Sequence, residues 1–348
     1  MRKTVVRKDF LPKCRMMSTI EILSAAIDSI PDPLGKGGLI AAGRVSAPRF
    51  SEGRVSLILD VTGLSPGQRD ALDQTVHQVL EKVEGVTDIR VAMTAEKNER
   101  ALIAVGSGKG GVGKSTLSAN LAIALATLGR KVGLIDADIY GPSQPRLMNT
   151  EGQRPTAEGQ KLNPIMSPFG IPMLSLGHLV KPGQAVAWRG PMAGNALSQL
   201  IDADWGDCDT LIVDLPPGTG DVQLSMIQKH KPAGAVIIST PQDLALIDAT
   251  RAIDLFTQST VPIIGLVENM AGYQCPHCGE ASDPFGMGGA EAAAKAMGYP
   301  FLGRIPLDIG IRMASDAGSP PAALGGPQHE AFAAIAARVA TWLSNRKG

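Results

Sequence analysis

Apolar and polar positions follow two different rhythms in the first hundred residues. Apolar side chains recur at helical spacing over 18–29 and 72–83, and they occupy every second position over 54–61. A shorter apolar run over 86–93 follows the second helical segment. Two helices and a pair of strands in this order predict a small α/β domain over residues 18–93.

A second pattern begins after the polar stretch at 94–100, which we expect to be a linker. From here, short and almost continuously apolar runs alternate with helical segments. The runs that predict buried strands lie at 101–106, 131–136, 210–213, 236–239 and 263–269, and the helical segments lie at 117–128, 244–256 and 330–343. This alternation predicts an α/β fold for residues 101–348, with a doubly wound and mostly parallel sheet.

The overall charge argues against several classes of partner. The chain has 33 basic and 33 acidic side chains, so no net field draws it to nucleic acid or to anionic lipid. No apolar run approaches the ~20 residues that a membrane-spanning helix needs. The four cysteines are too few for a disulfide framework, which fits a reducing compartment. We therefore expect a cytoplasmic protein with no nucleic-acid or membrane partner.

The first 17 residues form a basic segment with six Lys and Arg side chains and one acid, Asp9. The segment lacks the continuous apolar stretch of a secretory signal. An organelle transit peptide would also be basic, but this segment is short and contains little serine. We expect residues 1–17 to be a disordered extension, upstream of a natural start near Met16 or Met17.

The first strand of the large domain leads into a glycine-rich loop and then a helix. The loop contains Gly108, Lys109, Gly110, Gly111, Val112, Gly113, Lys114, Ser115 and Thr116. Its glycines let backbone N–H groups close on phosphate oxygens, and the helix adds a positive dipole. Lys114 is placed to reach the terminal phosphates, and Ser115 is placed to bind Mg²⁺. A chance glycine turn is the alternative, but the order of strand, loop and helix favours a P-loop that binds ATP.

Further groups in the large domain suit phosphate chemistry. Lys109 adds a second cation, which could stabilise charge that develops on a transferred phosphoryl group or could be a solvated loop lysine. Asp136 and Asp138 follow one buried strand, and Asp214 and Gly218 follow another. Acids at the carboxyl ends of parallel strands suit Mg²⁺, and glycines let the backbone approach a γ-phosphate. Each acid alone could be a capping or turn residue, but three such elements in P-loop order favour a catalytic site.

Two later segments are candidates for binding the base of the nucleotide. Asn269 ends a buried-strand pattern, and its amide can both donate to and accept from adenine. Pro306 and Asp308 lie in a later turn and could contact the same base. The sequence leaves open whether Asn269 is instead an ordinary turn residue.

The remaining motif is a pair of cysteines, Cys275 and Cys278, whose two-residue gap lets both thiolates bind one metal centre. Two ligands make half of a tetrahedral site, and Cys14 and Cys208 have no spacing that recommends them. The economical solution is two chains that each contribute the pair. Thiolates accept iron or zinc, and a redox dithiol is a third interpretation, although no thioredoxin-like helix start follows the pair. We expect His277 to be solvated.

Taken in order, these motifs resemble the Mrp/ApbC family of P-loop ATPases that carry iron–sulfur clusters. They are GKGGVGKS at 108–115, DADIYGPS at 136–143, WRGP at 188–191, DLPPGTGD at 214–221, ENM at 268–270 and CPHC at 275–278. The small amino-terminal unit resembles a domain that often precedes the ATPase in bacterial members and also occurs alone in iron–sulfur assembly systems. Its turn at 62–67 lacks the cysteine that relatives often carry, which argues against a metal role for that unit.

The resemblance implies a division of roles among the site residues. Lys109 would reach the nucleotide of a partner subunit, Asp138 would orient the attacking water, and Asp136 and Asp214 would support Mg²⁺. ATP would lie at the interface of a homodimer. A [4Fe–4S] cluster would bridge Cys275 and Cys278 of the two chains.

Two functional classes remain open at this point. The first is a carrier in which ATP binding or hydrolysis changes the dimer and so its hold on a labile cluster, taken from an assembly scaffold and delivered to apo iron–sulfur proteins. The second is a partitioning or positioning ATPase with a zinc-linked dimer, since P-loops with two lysines also occur in proteins that place DNA or septa. The CPHC motif favours the first class, because the second class would call for a basic surface or an amphipathic membrane tail.

Overall fold

The computed structural model describes residues 18–35, 37–64, 66–94, 100–159, 161–179 and 190–346. The chain divides into two compact units, Met1–Asn98 and Glu99–Gly348. The extension expected at 1–17 lies outside the described residues, as do most of the linker expected at 94–100 and the first two residues of the WRGP motif.

In the described part of the amino-terminal unit, two helices accompany a three-stranded sheet. Its elements are α1 (Thr19–Asp28), β1 (Arg49–Ser51), β2 (Arg54–Asp60), α2 (Pro66–Leu80) and β3 (Asp88–Thr94). Strand β2 pairs antiparallel with β1 and parallel with β3. Val55, Leu57 and Leu59 of β2 are buried in one core with Leu23 of α1 and Val76 of α2. This burial matches the alternation of apolar positions along the strand.

The carboxy-terminal unit alternates strands and helices along its length. It begins with β4 (Ala101–Gly106), α3 (Lys114–Thr127), β5 (Val132–Asp136), α4 (Gln144–Leu147), β6 (Thr156–Glu158), β7 (Lys161–Asn163), β8 (Ile165–Met166), β9 (Pro172–Ser175), α5 (Leu176–Leu179), α6 (Gly190–Ile201) and β10 (Thr210–Asp214). It continues with α7 (Asp221–Ser225) and a π-helical turn (Met226–His230), then β11 (Gly234–Ser239), α8 (Asp243–Gln258), β12 (Ile263–Gln274), β13 (Ala281–Ser282), α9 (Gly289–Met297), β14 (Phe301–Leu307), α10 (Ile309–Asp316), α11 (Pro321–Leu324) and α12 (Pro327–Asn345). Within the described ranges, no helix combines the length and apolar content that crossing a membrane requires.

Nine strands of the described chain form one sheet, in the order β13-β12-β11-β4-β10-β5-β9-β8 with β14 also beside β12. The pairs β12–β13 and β8–β9 are antiparallel, and the other pairs within this sheet are parallel. Strands β6 and β7 form a separate antiparallel pair. The prediction of a doubly wound, mostly parallel α/β sheet is therefore confirmed.

Helices pack on both faces of the large sheet, and strand β4 shows why its sequence is apolar throughout. Ile103 and Val105 pack in one core with Leu121 of α3, whereas Leu102 and Ala104 pack in the other. Neighbouring residues of a strand point to opposite faces, so a strand covered on both sides needs a continuous apolar run. Each fully buried Leu, Ile or Val side chain contributes roughly 1.5–3 kcal/mol of burial free energy.

The carboxyl ends of the central strands meet at one edge of this sheet. In the β10 register, Asp214 lies beside Val105 of β4 on one side and beside Asp136 of β5 on the other. The loops that follow these three strands therefore begin next to one another. This edge is where open α/β sheets place their ligands.

Candidate functional site

The glycine-rich loop joins β4 to α3, and two of its glycines cannot be replaced without displacing neighbouring groups. Gly113 has a φ of 87°, and a Cβ atom there would come within 2.1 Å of the Asn269 side-chain nitrogen. A Cβ atom on Gly108 would come within 2.1 Å of the Asp248 carbonyl carbon in α8. The loop backbone therefore lies tightly between β12 and α8, with a left-handed residue immediately before the helix.

A cavity of about 260 Å³ opens at the amino terminus of α3. Lys109, Lys114, Ser115 and Asp138 line it, together with the glycines at 110, 111 and 113 and with Thr116. Gly108 and Val112 complete the loop but do not line the cavity. Two lysines, the loop backbone and the positive end of a 14-residue helix surround one space, which suits a chain of phosphates.

Lys114 is buried and lies between two acids. Its Nζ donates a hydrogen bond of 2.5 Å to Asp214 Oδ1, and it lies 3.6 Å from Asp138 Oδ2 and 3.3 Å from Ser115 Oγ. Burial by itself would lower the pKa of the ammonium, but Asp214, Asp138 and Asp136 more than compensate and raise the pKa. The lysine is therefore held charged at the base of the cavity.

Asp136 and Asp214 are fully buried, and neighbouring groups hold their carboxylates in place. Asp136 Oδ2 accepts from the Gln144 backbone N–H at 3.1 Å and from Ser175 Oγ at 2.9 Å. Asp214 accepts from Ser118 Oγ at 3.1 Å and from Gln144 Nε2 at 2.9 Å. Burial, followed by the repulsion of the Asp214 carboxylate, raises the pKa of Asp136 to about 7.

This arrangement fits a Mg²⁺ ion that a nucleotide brings with it. Asp214 pairs with the Lys114 ammonium, and Asp136 lies beside Asp214 on the neighbouring strand, so the site has two buried carboxylates against one cation and suits a further positive charge. In the part of the chain that the structure describes, no three His, Cys, Asp or Glu side chains are grouped closely enough to hold a metal ion. Ser115, water and phosphate oxygens would therefore have to complete the coordination of an ion at Asp136 and Asp214.

Asp138 and Gly218 lie near the phosphate cavity, on two neighbouring loops. Asp138 Oδ1 accepts from the backbone N–H groups of Tyr140 and Gly141, at 3.1 and 3.3 Å. Its other oxygen faces Lys114. The Gly218 N–H donates to the Ser107 carbonyl at 2.9 Å, which ties the loop after β10 to the phosphate loop. The structure therefore brings both predicted residues to the P-loop.

The residues predicted to bind the base lie in two places. Asn269 donates its side-chain amide to the Val112 carbonyl at 2.8 Å, so it contacts the phosphate loop directly. Pro306 and Asp308 line a second cavity, of about 520 Å³, together with Gln328 and Cys275. Asp308 Oδ1 also accepts from the Gly310 N–H at 2.6 Å and caps α10. One of its oxygens is thus committed to the helix, and its contact with a base stays a prediction.

The cysteine pair lies at the tip of a short hairpin, which we call the cysteine knuckle (residues 275–279). Strand β12 ends at Gln274 on one side of the hairpin. Strand β13 forms the other side and pairs antiparallel with it, with Gln274 opposite Ala281. At the tip, the Gly279 N–H donates to the Cys275 carbonyl at 2.8 Å, and Gly279 has a φ of 74°. Cys278 is exposed and Cys275 is half-buried, so the knuckle presents its thiols outward.

The knuckle also favours the thiolate form of one cysteine. The backbone N–H groups of Cys278 and His277 point at the Cys275 sulfur and, with the Cys278 thiol, lower the pKa of Cys275. Metal ligands and nucleophiles require the thiolate. Cys208 shows the opposite behaviour, because burial and then the Asp207 carboxylate raise its pKa to about 11. Cys14 lies outside the described residues.

Several buried polar residues that the sequence did not single out also hold these two sites in place, among them Gln144, Ser175 and Glu268. Gln144 and Ser175 hold the two buried carboxylates described above. Glu268 is fully buried and accepts from the Gly288 and Ala290 N–H groups at 2.9 and 2.7 Å, so it caps α9 after the knuckle loop. Glu268 belongs to the ENM motif, and Gln144 directly follows the DADIYGPS motif. Their positions in or beside these motifs are the sequence features that could have identified them.

Comparison with known proteins decides the family. The family model described as NUBPL iron-transfer P-loop NTPase matches residues 98–340. The chain belongs to the NUBPL iron-transfer P-loop NTPase family. The resemblance to Mrp/ApbC proteins is thereby confirmed. As a member of this family, the chain is a P-loop ATPase.

One relative matches the chain over almost its whole length, and another over about two thirds of it. An iron–sulfur cluster carrier protein of Deinococcus radiodurans is 41% identical over 340 residues, which cover 94% of this chain and 96% of the relative. An iron–sulfur cluster carrier protein of Escherichia coli K12 is 49% identical over 236 residues, covering 67% of this chain and 63% of that relative.

Solved structures resemble the ATPase unit of this NUBPL-family chain. The nucleotide-binding protein of Archaeoglobus fulgidus in complex with ADP is 39% identical, with a TM-score of 0.58 over 67% of this chain and 91% of that one. The MinD cell division ATPase of Pyrococcus furiosus is 24% identical, with a TM-score of 0.52 over 70% of this chain and 99% of that one. The second likeness shows the fold alone.

Proposed function

We propose that this chain is an ATP-dependent iron–sulfur cluster carrier, which holds a labile [4Fe–4S] cluster between two copies of itself and delivers it to apo-proteins. The observation that carries the proposal is the cysteine knuckle, an outward-facing thiol pair built onto the same strand, β12, that contacts the phosphate loop through Asn269. Relatives that match most of the chain are named iron–sulfur cluster carrier proteins.

Two copies are proposed because one knuckle provides half of a site. A [4Fe–4S] cluster is usually held by four thiolates, and Cys275 and Cys278 supply two of them. Cys208 cannot complete the set, since it is buried in the core of the ATPase unit. Two chains that face each other with their knuckles would provide the missing pair.

The nucleotide site supplies the second reason for a homodimer. We assign Lys114 to the β- and γ-phosphates, and we assign Ser115, Asp136 and Asp214 to Mg²⁺ and its waters. Asp138 lies at the cavity wall, where its carboxylate would orient an attacking water. Lys109 would reach the nucleotide of the partner and stabilise the charge that develops on the transferred phosphoryl group.

The two sites are close enough in the fold to be coupled. Strand β12 carries Asn269 at the phosphate loop and ends five residues later at the knuckle. The cavity that contains the predicted base contacts Pro306 and Asp308 is also lined by Cys275. A nucleotide whose base entered this cavity would therefore lie against the cysteine loop, and its departure would change the surroundings of the cluster.

The proposal also includes the compartment, the partners and the domain organisation of the carrier. It would act in the cytoplasm, receive its cluster from an assembly scaffold and pass it to apo iron–sulfur proteins. The small unit at 18–93, joined by a linker at 94–100, would be a separate domain that resembles iron–sulfur assembly domains.

Cluster delivery can be measured directly. The chain is reconstituted anaerobically with iron and sulfide, freed of unbound iron, and mixed with an apo-enzyme that needs a [4Fe–4S] cluster, with and without MgATP. We expect the apo-enzyme to regain activity, and we expect Cys275→Ala and Cys278→Ala to remove that gain. Cys208→Ala is the matched control and should deliver normally. A chain that binds only zinc after anaerobic purification would favour the zinc-linked ATPase instead.

A further inference from the structure

Gln144 is a fully buried residue that joins three segments of the nucleotide site. It is the first residue of α4, and its backbone N–H donates to Asp136 Oδ2 at 3.1 Å. Its side-chain Nε2 donates to Asp214 Oδ2 and to the Ser115 carbonyl, both at 2.9 Å. One residue thus connects the loop after β5, the end of β10 and the first turn of α3.

The same side chain has an acceptor that is not used. Within the described residues, Gln144 Oε1 is buried and has no hydrogen-bond partner. A flipped amide would not solve this, because it would turn Oε1 toward the Ser115 carbonyl and the Asp214 carboxylate, which are both acceptors. Buried polar atoms are normally paired, so an unpaired one beside a ligand site indicates a missing donor.

The chemistry of the site identifies that donor. Mg²⁺ loses its water reluctantly and usually keeps several water ligands when it binds beside carboxylates and phosphates. Each of these waters is a strong hydrogen-bond donor. Lys114 is a donor too, but its three N–H groups already have three acceptors nearby, Asp214, Ser115 and Asp138. Outer groups that orient metal ligands often act through such hydrogen bonds.

We propose that Gln144 is the positioning residue of the Mg²⁺ site: its N–H groups hold Asp136 and Asp214, and its Oε1 accepts a hydrogen bond from a water on the ion. The inference rests on the assignment of Mg²⁺ to Ser115, Asp136 and Asp214 in the proposed function. Gln144 touches no nucleotide atom in this assignment, and it acts through the ion and its ligands.

The test measures how much Mg²⁺ strengthens ADP binding. The dissociation constant of ADP is determined by calorimetry, once with Mg²⁺ and once with EDTA. The constant in EDTA divided by the constant in Mg²⁺ gives the factor by which Mg²⁺ strengthens binding, and this ratio is compared between variants. Gln144→Met keeps the side-chain volume but removes both amide atoms. We expect it to reduce the ratio by about 10-fold or more, as loss of an outer ligand-holding group typically does, because ADP affinity should fall much further in Mg²⁺ than in EDTA.

Control variants separate this inference from the proposed function. Ser115→Ala should also reduce the ratio, and Gln258→Met, at an exposed position on α8, should not. If Ser115→Ala lowers the ratio and Gln144→Met does not, Gln144 has no role toward the ion and the Mg²⁺ assignment stands. If neither changes the ratio, the Mg²⁺ assignment itself is wrong.

A structural role would give a different result. If Gln144→Met weakens ADP binding equally in Mg²⁺ and in EDTA, the residue supports the phosphate loop and the proposal is rejected. Should Gln144→Met fail to fold, Gln144→Ala is measured in the same way. Failure of both variants to fold would also reject the proposal, since it would show that the residue is needed for the fold itself.

Discussion

The side-chain amide of Asn269 donates a hydrogen bond of 2.8 Å to the carbonyl oxygen of Val112, which lies 157 positions earlier in the chain. Val112 belongs to the phosphate loop, and Asn269 belongs to the strand that ends at the cysteine knuckle. A closely packed contact lies at the same point, because a side chain on Gly113 would collide with the Asn269 amide. A movement of the phosphate loop would therefore act directly on the strand that carries the thiols.

Lys114→Ala should abolish ATP turnover, with a loss of roughly 10²-fold or more, because it removes the charge that meets the β- and γ-phosphates. The change also leaves Asp214 and Asp138 without their buried cation, so thermal unfolding must be recorded alongside activity. Lys131→Ala, at an exposed lysine, is the control and should hydrolyse ATP normally. Normal turnover in folded Lys114→Ala protein would refute the role of this lysine.

Lys109→Ala should fold normally but hydrolyse ATP slowly, because the lysine is only half-buried and, in the proposed function, reaches the nucleotide of the partner. Mixing it with Lys114→Ala protein should restore part of the activity. In a mixed dimer, the chain with an intact Lys114 receives Lys109 from its partner. Differently tagged chains show whether mixed dimers have formed. Mixed dimers without recovered activity would contradict action in trans.

Asp136→Asn should stabilise the nucleotide-free protein more at pH 8 than at pH 5. The folded-state pKa of Asp136 is about 7 and the ordinary value is 3.8, so the folded state binds more protons between these values and stability falls as pH rises through that window. The variant removes this loss. Each kcal/mol gained would raise the melting temperature by roughly 2–4 °C.

The control for this pH dependence is Asp207→Asn. The Asp207 pKa is lowered by its hydrogen bond to Lys131, so the carboxylate is already charged at pH 5 and its removal should have the same effect at both pH values. The measurement is the melting temperature of each variant relative to the unmodified chain, at pH 5 and at pH 8, in EDTA and without nucleotide. An equal effect of Asp136→Asn at pH 5 and pH 8 would mean that Asp136 titrates normally in the folded chain.

The parts of the site that could be predicted from sequence are those encoded by contiguous residues. The P-loop is a local motif between a strand and a helix, and strand periodicity is enough to place Asp136 and Asp214 at one edge of a parallel sheet. The helix predicted over 244–256 is observed at Asp243–Gln258, with the same period and slightly wider ends. Local pattern and tertiary packing agree at these positions.

Contacts between distant segments could not be predicted in the same way. No periodicity links Gln144 to Asp214, or Ser175 to Asp136, since the first pair meets only after β5 has paired with β10 and the second only after β5 has paired with β9. Strand β13 has two residues, which is too short to leave a pattern. Asp308 did carry a readable signal, because an Asp that begins a helix is a common cap. That signal predicts the observed cap of α10 as well as it predicts a contact with a base.

The two knuckle thiols should differ from Cys208 in their reactivity toward iodoacetamide. The Cys275 pKa is lowered, so alkylation of Cys275 should begin at a lower pH than that of an ordinary thiol. Cys208 is buried and has a pKa of about 11, so it should stay unmodified in the folded protein. Peptide mass spectrometry of metal-free protein gives each rate. In urea the difference should vanish, and a difference that persists there would show that the fold is not its cause.

Cluster stoichiometry tests the bridging model most directly. If two chains share one [4Fe–4S] cluster, reconstituted protein should contain about four irons per dimer, since each chain supplies half of a Cys₄ site. Cys275→Ala and Cys278→Ala should each remove the cluster, because a site that loses one thiol per chain keeps only two of its four ligands. Cys14→Ala and Cys208→Ala should keep it. All four variants should still bind ADP, as no cysteine lines the phosphate cavity among the described residues.

Iron and sulfide analysis measures the cluster content, and light scattering on the same sample measures whether the protein is a dimer. Four irons on an isolated monomer, or a cluster retained by Cys275→Ala, would contradict the shared site and require ligands from elsewhere in the chain.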